Sequence, residues 1–267
     1  MVPFQISPEQ LQSYEEQGFV RIPDLFDAEE VDLLRKIARA DRELEADAKG
    51  PLDKEGKITK IAVRNELRED IYSAIVRSHR MADTMEKILG GEVYHYHHKM
   101  TMKEPKVGGA WEWHQDYGYW YNNGCLYPLL SSCMVAVDRS TTENGCLQVI
   151  PGSHHLGRID HGVSGTQTGA DEERVEKVLE RLPIEYVEME PGAALFFHCN
   201  LLHRSAQNLS EHPRWMFICC FNAARNNPYK KHHHPCYEFL EKWPDEKVKE
   251  VGGKQWEELQ ARMEGVG

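Results

Sequence analysis

The chain has 267 residues, of which 40% are hydrophobic and 28% are charged, and its formal net charge is -11. This composition is ordinary for a soluble globular protein of one large domain or two small ones. The net negative charge argues against nucleic acid or an anionic membrane as the main partner, because binding phosphates needs a basic face. No apolar run approaches the ~20 residues of a bilayer-spanning helix, so we expect no membrane partner.

The N-terminus and the cysteines indicate a reducing compartment. Residues 1–7 contain neither a basic stretch nor an apolar core, so we expect no secretory signal. The cysteines are odd in number, scattered, and without a C-x-x-C pair: Cys125, Cys133, Cys146, Cys199, Cys219, Cys220 and Cys236. This distribution argues against a disulfide framework and against a zinc-thiolate site. We therefore expect a cytoplasmic protein.

Helical patterns dominate the first 91 residues. Ser7-Pro8-Glu9-Gln10 reads as an N-cap, a proline at the first helical position and a glutamine at the third, which predicts a helix start. Asp27-Ala28-Glu29-Glu30 is a second capping box before an amphipathic pattern. Residues 45–60 are charged and contain glycine and proline, which predicts a loop. The pattern over 69–89 predicts one further helix.

Strand patterns dominate the middle of the chain. Apolar alternation between turn residues predicts eight strands, at 19–22, 93–102, 111–121, 132–138, 145–150, 184–189, 193–198 and 215–221, and a helix is predicted over 171–182. Several short strands at regular spacing are typical of an antiparallel barrel or sandwich. The polar residues 223–267 are expected to wrap the outside. Within them Lys230–His234 could bind a metal, but a solvated polar loop is favoured.

One stretch of the chain, Trp111–Trp120, places a histidine and a carboxylate in a run of aromatic residues. Residues i and i+2 of a strand point to the same face, so His114 and Asp116 would reach one point together. They would supply two of the three ligands of the 2-His-1-carboxylate site found in non-haem Fe(II) oxygenases. The alternative is a surface strand that carries a hydrogen-bonded histidine, and this triplet alone does not decide between the two.

A second stretch, from Pro191 to Arg214, can complete such a site. It reads as a turn and a buried strand followed by His203, which can be the third ligand from a distant strand. Arg214 lies at the start of another apolar strand. An arginine that points into a barrel needs an anionic partner, because an unpaired buried charge is costly. Its planar guanidinium suits a carboxylate, and an ordinary structural salt bridge is the alternative.

Three signatures together resemble the phytanoyl-CoA dioxygenase family of Fe(II)/2-oxoglutarate oxygenases. They are W-x-W-H-Q-D-Y at 111–117, N-G-C-L-x-x-I-P-G-S-H at 144–154 and F-F-H-C-N-x-x-H-R-S-x-x-N-x-S-x-x-P-R at 196–214. The resemblance covers residues 7 to about 225. It implies a mainly β fold with flanking helices, namely a double-stranded β-helix (a cupin-like jelly roll). We expect a single oxygenase domain over 1–267, in which 1–91 are helical support, 92–222 the jelly-roll core and 223–267 a C-terminal wrap.

The resemblance also implies the chemistry of the site. His114, Asp116 and His203 would bind Fe(II), and Arg214 would pair with the distal carboxylate of 2-oxoglutarate. With O2, 2-oxoglutarate would be decarboxylated to succinate and CO2 while an unactivated C–H bond of the substrate is hydroxylated. Because Asp116 is present, the site resembles that of a hydroxylase rather than that of a halogenase, in which a small residue frees a position for chloride.

The strand Tyr96–Lys103 is similar to that of the small-molecule members, such as ectoine and free-proline hydroxylases. Those relatives read roughly H-Q-x-[KR]-I-N-x-K here, and in this chain Thr101 stands for their asparagine and His97 for their glutamine. We assign Lys99 and Thr101 to co-substrate binding. The expected substrate contacts are His97, Trp111, Tyr117 and Trp120. The aromatic residues could hold a cationic group by cation–π attraction, or could only pack the barrel.

We therefore expect a hydroxylase of a small polar metabolite. One alternative is an acyl-CoA or lipid substrate, which the lack of a dense basic patch disfavours. Another is a non-catalytic jelly-roll protein that binds a metal or 2-oxoglutarate, and a third is a cupin-like isomerase or hydrolase, which would not need Arg214. The sequence leaves open whether the protein is a monomer or a homodimer.

Overall fold

The computed structural model describes residues 4–164 and 166–264. The first three residues of the N-terminal stretch that we expect to carry no signal lie outside these ranges. The N-terminal third holds α1 (Pro8–Gln17), β1 (Phe19–Ile22), α2 (Ala28–Ala40), α3 (Arg42–Asp47), β2 (Lys60–Arg64), α4 (Ile71–Arg77) and α5 (His79–Leu89).

Strands dominate the rest of the chain. They and the intervening helices are β3 (Val93–Lys103), β4 (Trp111–His114), α6 (Asp116–Trp120), β5 (Leu130–Ala136), β6 (Leu147–Val149), β7 (His161–Ser164), β8 (Gln167–Ala170), α7 (Glu172–Leu179), β9 (Glu185–Val187), β10 (Ala194–His198), β11 (His203–Ser205), β12 (Arg214–Ala223) and α8 (Lys247–Glu264). Within the described ranges, no helix is both long and apolar enough to cross a bilayer.

Two antiparallel sheets form the jelly roll. The larger has the order β1-β10-β5-β12-β3-β2 and the smaller has the order β4-β11-β6-β9, while β7 and β8 form a separate hairpin. Leu147 and Val149 of the smaller sheet share one apolar cluster with Met134, Leu195 and Met216 of the larger sheet. Because the two sheets bury these side chains against each other, the core lies between them. The predicted double-stranded β-helix with flanking helices is confirmed.

The other face of the larger sheet is covered by helices. Phe196 and Phe217 of that face pack in a second apolar cluster with Leu34 of α2, Ile75 of α4 and Met85 of α5. Both predicted capping boxes are present, at Ser7 and at Asp27. These caps satisfy backbone N–H groups that have no partner within the helix, so the sequence defines both helix starts.

The prediction of a single helix over 69–89 is wrong, because the chain breaks at Ser78 into α4 and α5. The backbone of Trp243 pairs with the break: its N–H donates to Arg77 O at 2.8 Å, and His79 N–H donates to its carbonyl at 3.0 Å. A distant segment therefore takes the hydrogen bonds that a continuous helix would have used.

The C-terminal region is more regular than its polar sequence suggests, because it contains α8. This helix contacts α2 and α4. A Cβ atom at Gly252 would lie 2.8 Å from Ile71 Cδ1. Since real Cβ contacts are not that short, a larger residue at this position would displace the end of the Ile71 side chain, so the two helices pack closely here.

Candidate metal centre and its cavity

Three chain segments bring His114, Asp116 and His203 together. His114 ends β4, Asp116 begins α6, and His203 begins β11, which pairs with β4 in a register that places His203 opposite His114. One ligand atom from each residue lies within 4.8 Å of the other two. In the part of the chain that the structure describes, no other group of three or more histidine, cysteine, aspartate or glutamate side chains brings its ligand atoms this close together.

The predicted strand over 111–121 is wrong beyond His114. Its partner β11 is only three residues long, so the strand has nothing to pair with further on. Instead Tyr117 N–H donates to Cys199 O at 2.9 Å, and a helical turn starts at Asp116. Asp116 therefore reaches His114 from the first turn of a helix, and not as its i+2 neighbour on one strand face.

Gln115, between the two residues, holds this turn in place. Its Nε2 donates to Gly157 O at 2.8 Å and to Asn200 O at 2.7 Å, and its Oε1 accepts from Ile159 N–H at 2.7 Å. The side chain is fully buried and both amide ends are satisfied. Sequence reasoning assigned Gln115 no role, and only its place between two candidate ligands could have indicated one.

Hydrogen bonds define which ring nitrogen carries the proton in both histidines. His114 Nδ1 lies 2.7 Å from Glu112 O, and His203 Nδ1 lies 2.9 Å from Leu201 O. Because a carbonyl oxygen only accepts, each Nδ1 carries the proton and each Nε2 keeps a free lone pair. Burial and the nearby His203 hold the pKa of His114 well below its ordinary value, and burial lowers the pKa of His203. Both rings are neutral at neutral pH, as metal ligands must be.

The carboxylate of Asp116 is held by two polar side chains. Ser132 Oγ donates to Asp116 Oδ2 at 3.0 Å, and Lys99 Nζ lies 3.8 Å from Oδ1. Although burial opposes ionisation, the charge of Lys99 and the hydrogen bond from Ser132 lower the pKa of Asp116. Two neutral imidazoles and one carboxylate with further positions open are the donor set that suits a non-haem Fe(II) ion, so these residues fit that metal.

The triad lies in the wall of a cavity of about 400 Å³. Most of the other sequence-predicted residues also line it: Lys99, Thr101, Arg214, His97, Trp111 and Trp120. The structure does not bring Tyr117 to the cavity, since this residue is buried in the apolar cluster between the sheets and its hydroxyl donates to Cys125 O at 3.0 Å.

Tyr119 lines the cavity although the sequence analysis did not select it. Its ring centroid lies 5.9 Å from that of His114, and its hydroxyl donates to Thr168 O at 2.5 Å. Residues three apart on a helix share a face, so a helix beginning at Asp116 presents Tyr119 beside it. The sequence signal was present, but the prediction of a strand concealed it.

Arg214 carries a buried charge at the cavity. It is 2% exposed, and its Nε donates to Ser140 Oγ at 3.3 Å. Burial lowers the pKa of Arg214 to about 10, so the guanidinium is still charged at neutral pH. No Asp or Glu among the described residues lies within ion-pair distance of it. A charge in this position needs an anion from outside the chain.

A second buried basic residue, Lys103, lies opposite Arg214 in the β3–β12 register. Its Nζ donates to the carbonyls of Ser205 and Ala206. Burial and the charge of Arg214 hold the pKa of Lys103 well below its ordinary value. Thr101, two residues earlier on β3, has its hydroxyl 3.5 Å from Met216 O, a weak bond that leaves the hydroxyl available to a ligand.

The Lys230–His234 cluster is only partly the solvated loop that the sequence favours. Its first four residues are exposed, but His234 is half-buried and lines the cavity together with His233. Its ring stacks on that of His97, with the centroids 4.3 Å apart. The C-terminal wrap therefore contributes to the cavity wall.

Comparison with known proteins agrees with this fold. The ectoine dioxygenase of Bordetella parapertussis is 30% identical over 253 residues, which cover 84% of this chain and 79% of that protein. The L-proline trans-4-hydroxylase of Streptomyces griseoviridis is 29% identical over 176 residues, which cover 60% of this chain and 66% of that protein. The crystal structure of EctD from S. alaskensis with 2-oxoglutarate and 5-hydroxyectoine matches with a TM-score of 0.75 and 26% identity over 90% of this chain and 89% of that one, and EctD has also been solved with bound Fe.

A family profile covers most of the chain. The profile of the phytanoyl-CoA dioxygenase (PhyH) family matches residues 14–216. This range includes the three candidate metal ligands and Arg214, and it extends from the first helix to the last strand of the larger sheet. The chain belongs to the phytanoyl-CoA dioxygenase family.

Proposed function

We propose that this protein is an Fe(II)/2-oxoglutarate-dependent dioxygenase that hydroxylates an unactivated C–H bond of a small polar metabolite. The observation that carries the proposal is that one cavity is lined by two groups that each lack a binding partner. One is a 2-His-1-carboxylate group with free Nε2 lone pairs, and the other is the buried charge of Arg214 without an anion. A metal-chelating 2-oxoacid with a second carboxylate would complete both.

His114, Asp116 and His203 would hold the iron, which with bound 2-oxoglutarate and O2 supplies the oxidising chemistry and yields succinate and CO2. The guanidinium of Arg214 would bind the distal carboxylate through two parallel N–H bonds. Ser140 supports this role, since its bond to Nε restricts how the guanidinium can turn. Thr101 would donate a hydrogen bond from its hydroxyl to the co-substrate.

Lys99 has two roles in this proposal. It faces Asp116 at 3.8 Å and so helps to keep that side chain a carboxylate, and it lines the same cavity as the co-substrate. Although burial favours the neutral amine, Asp116 raises the pKa of Lys99, so the ammonium persists. A persistent cation at this position favours a co-substrate that carries negative charge.

The walls of the cavity support a small substrate. Beside the polar groups, they contain many apolar side chains, with Trp111, Trp120, Met134, Phe197 and Ile218 among them. Such walls exclude water from the reacting atoms. A volume of about 400 Å³ lies near the lower end for small-molecule pockets, which favours a metabolite over an acyl-CoA or a long lipid.

We also propose that residues 1–267 act as one oxygenase domain in the cytoplasm. The C-terminal residues support a single unit, because His234 lines the cavity and α8 contacts α2 and α4. The cysteines support a reducing compartment, because six of the seven are buried free thiols and the seventh is a partly buried one.

An anaerobic titration with a turnover assay tests the function. Protein with Fe(II) is titrated with 2-oxoglutarate and followed by the visible charge-transfer band, then given O2 with ectoine, L-proline and a library of small metabolites while succinate is measured. We expect the band and substrate-stimulated succinate release in the wild type. His114→Ala and His203→Ala should lose both, whereas His212→Ala, at an exposed position, should keep both. A full band in His114→Ala would contradict the assignment.

A further inference from the structure

We infer that His234 is a substrate-binding residue whose Nε2 accepts a hydrogen bond from a neutral N–H or O–H group of the substrate. The inference rests on the proposed function, since it names the substrate chemistry of the same cavity. His234 lies beyond β12, in a segment that adds no strand to either sheet, yet it lines the cavity beside His97 of β3, on which its ring stacks.

Asn65 defines which nitrogen of His234 carries the proton. Its Nδ2 donates to His233 O at 2.7 Å, and its Oδ1 lies 2.8 Å from His234 Nδ1. Because a carbonyl only accepts, the amide must present its nitrogen to His233 and its oxygen to His234. The oxygen also only accepts, so the proton of His234 is on Nδ1. The lone pair of His234 is therefore on Nε2, and Asn65 holds the ring with both ends of its amide.

The surroundings of the ring keep it neutral. The ring of His234 stacks on that of His97, with the ring centroids 4.3 Å apart and an angle of 15° between the planes. The centroid of the Tyr96 ring lies 4.8 Å from that of His234. Burial, together with His233 and Lys99, lowers the pKa of His234 to about 3. Burial and the neighbouring His234 hold the pKa of His97 well below its ordinary value. Two stacked neutral imidazoles thus form one wall.

Within the part of the chain that the structure describes, no protein group donates to the acceptor on this wall. Throughout residues 4–164 and 166–264, the ring of His234 has Asn65 as its one hydrogen-bond partner, and this bond uses Nδ1. The buried Nδ1 of His97 likewise has no hydrogen-bond partner in those ranges. His234 lines the cavity, and its Nε2 is therefore an acceptor that a ligand or water can satisfy.

The charges of the cavity select the kind of donor. Among its described lining residues Asp116 is the one acid, and it belongs to the triad, whereas Lys99, Arg204 and Arg214 are cations. A cationic substituent at His234 would face Lys99 without a free carboxylate to pair with. An anionic substituent would meet the lone pair of Nε2. The group that fits is a neutral donor such as a hydroxyl, an amide or a lactam N–H.

The tautomer can be measured without iron or substrate. Metal-free protein labelled with ¹⁵N-histidine gives ring nitrogen shifts that distinguish a protonated from an unprotonated nitrogen, and His234→Phe identifies the signals of His234. We expect the proton on Nδ1 in the wild type, and a loss of that preference in Asn65→Ala. A proton on Nε2 in the wild type would overturn the inference.

The donor requirement can be tested with two ring compounds of similar shape. Anaerobic protein with Fe(II) and 2-oxoglutarate is titrated with 2-piperidone, which has a neutral N–H, and with cyclohexanone, which has none, using the fluorescence of Trp111 and Trp120 at the cavity wall. His234→Phe keeps an aromatic ring against His97 but removes Nε2. We expect the preference for 2-piperidone, as the ratio of the two Kd values, to fall about tenfold in His234→Phe, in line with one lost hydrogen bond of about 1–1.5 kcal/mol.

His232→Phe is the matched control, because this exposed histidine belongs to the same cluster, and it should keep the wild-type ratio. An unchanged ratio in His234→Phe, or saturable binding of neither compound to the wild type, would overturn the inference. The charge-transfer band with 2-oxoglutarate is read in the same samples. If the band forms and the ratio does not change, only the role of His234 fails; if no band forms, the proposed function fails.

Discussion

Ser132 Oγ donates a hydrogen bond to Asp116 Oδ2 at 3.0 Å, from the central part of the larger sheet to the first turn of α6. This bond orients the carboxylate of a candidate metal ligand. Outer partners of this kind typically change metal affinity about 10- to 100-fold when they are removed. We therefore predict that Ser132→Ala weakens Fe(II) binding by that factor, measured by anaerobic titration with calorimetric detection.

Ser131→Ala provides the matched control for Ser132→Ala. The neighbouring hydroxyl of Ser131 is equally buried, but it bonds Phe197 O and Tyr14 rather than a candidate ligand. Its loss should lower the free energy of unfolding without changing Fe(II) affinity. Equal affinity in both serine variants would contradict the role given to Ser132.

Arg214 should control the use of 2-oxoglutarate. Removing one partner of a buried, hydrogen-bonded charge pair costs about 2–5 kcal/mol, so we predict that Arg214→Gln raises the KM for 2-oxoglutarate about 30-fold or more. Arg214→Lys keeps the charge but loses the planar fork, so its KM for 2-oxoglutarate should lie between those of the wild type and Arg214→Gln. The measurement is succinate or CO2 release at a fixed, saturating level of substrate.

A shorter oxoacid separates anchoring from folding. 2-Oxobutyrate chelates a metal as 2-oxoglutarate does but has no distal carboxylate for Arg214 to bind. The wild type and Arg214→Gln should therefore bind 2-oxobutyrate with similar affinity in the presence of the metal. Their activities with 2-oxobutyrate should also be similar. A defect of the same size with both oxoacids would indicate a structural role for Arg214.

The sequence predicted elements whose patterns are local, and it failed where distant contacts decide the structure. Apolar alternation identified β3, β5, β10 and β12, because these strands lie in the buried larger sheet. The β7–β8 hairpin is polar and has no such pattern. Likewise, α8 carries Gly252 and Gly253 in its interior, which mask its helical signal, and it becomes regular against other helices.

The candidate site divides in the same way. The residue types at 114, 116, 203 and 214 could be selected from motif spacing, because the chemistry requires particular side chains. The route by which Asp116 reaches His114 could not, because it depends on the short β11 and on bonds from Gln115 to loops 42 to 85 residues away. Nor could His234, whose place in the cavity depends on Asn65.

Gln115 should act as a positioning residue for the two ligands beside it. Gln115→Ala leaves the carbonyls of Gly157 and Asn200 and the N–H of Ile159 without their partner. Since each unsatisfied buried group costs about 1–3 kcal/mol, we predict a clear loss of unfolding free energy together with weaker Fe(II) binding. Gln115→Met keeps the side-chain length and should not restore either. If Gln115→Ala loses stability but binds Fe(II) with unchanged affinity, the residue only supports the fold.

Asp53 should make the stability of the loop over the cavity depend on pH. Its carboxylate accepts from the N–H groups of Glu55, Lys57 and Ala110 and from Gln207 Nε2, and the same loop places Pro51 at the cavity. Although burial opposes ionisation, these hydrogen bonds lower the pKa of Asp53 below its ordinary value of 3.8. Because the pKa is lower in the folded state, the ionised carboxylate stabilises the fold at pH values above the ordinary pKa. This contribution is lost as the pH falls through the lower, folded-state pKa.

We therefore predict that metal-free wild type unfolds at higher urea than Asp53→Asn at pH 6, and that the difference in unfolding free energy shrinks as the pH is lowered from about 4 towards 2. Gln207→Ala removes one donor but keeps the carboxylate, so it should show a smaller loss at pH 6 and keep most of the pH dependence of the wild type. A difference between wild type and Asp53→Asn that stays constant from pH 6 to the lowest pH at which both fold would show that the charge of Asp53 does not stabilise the loop.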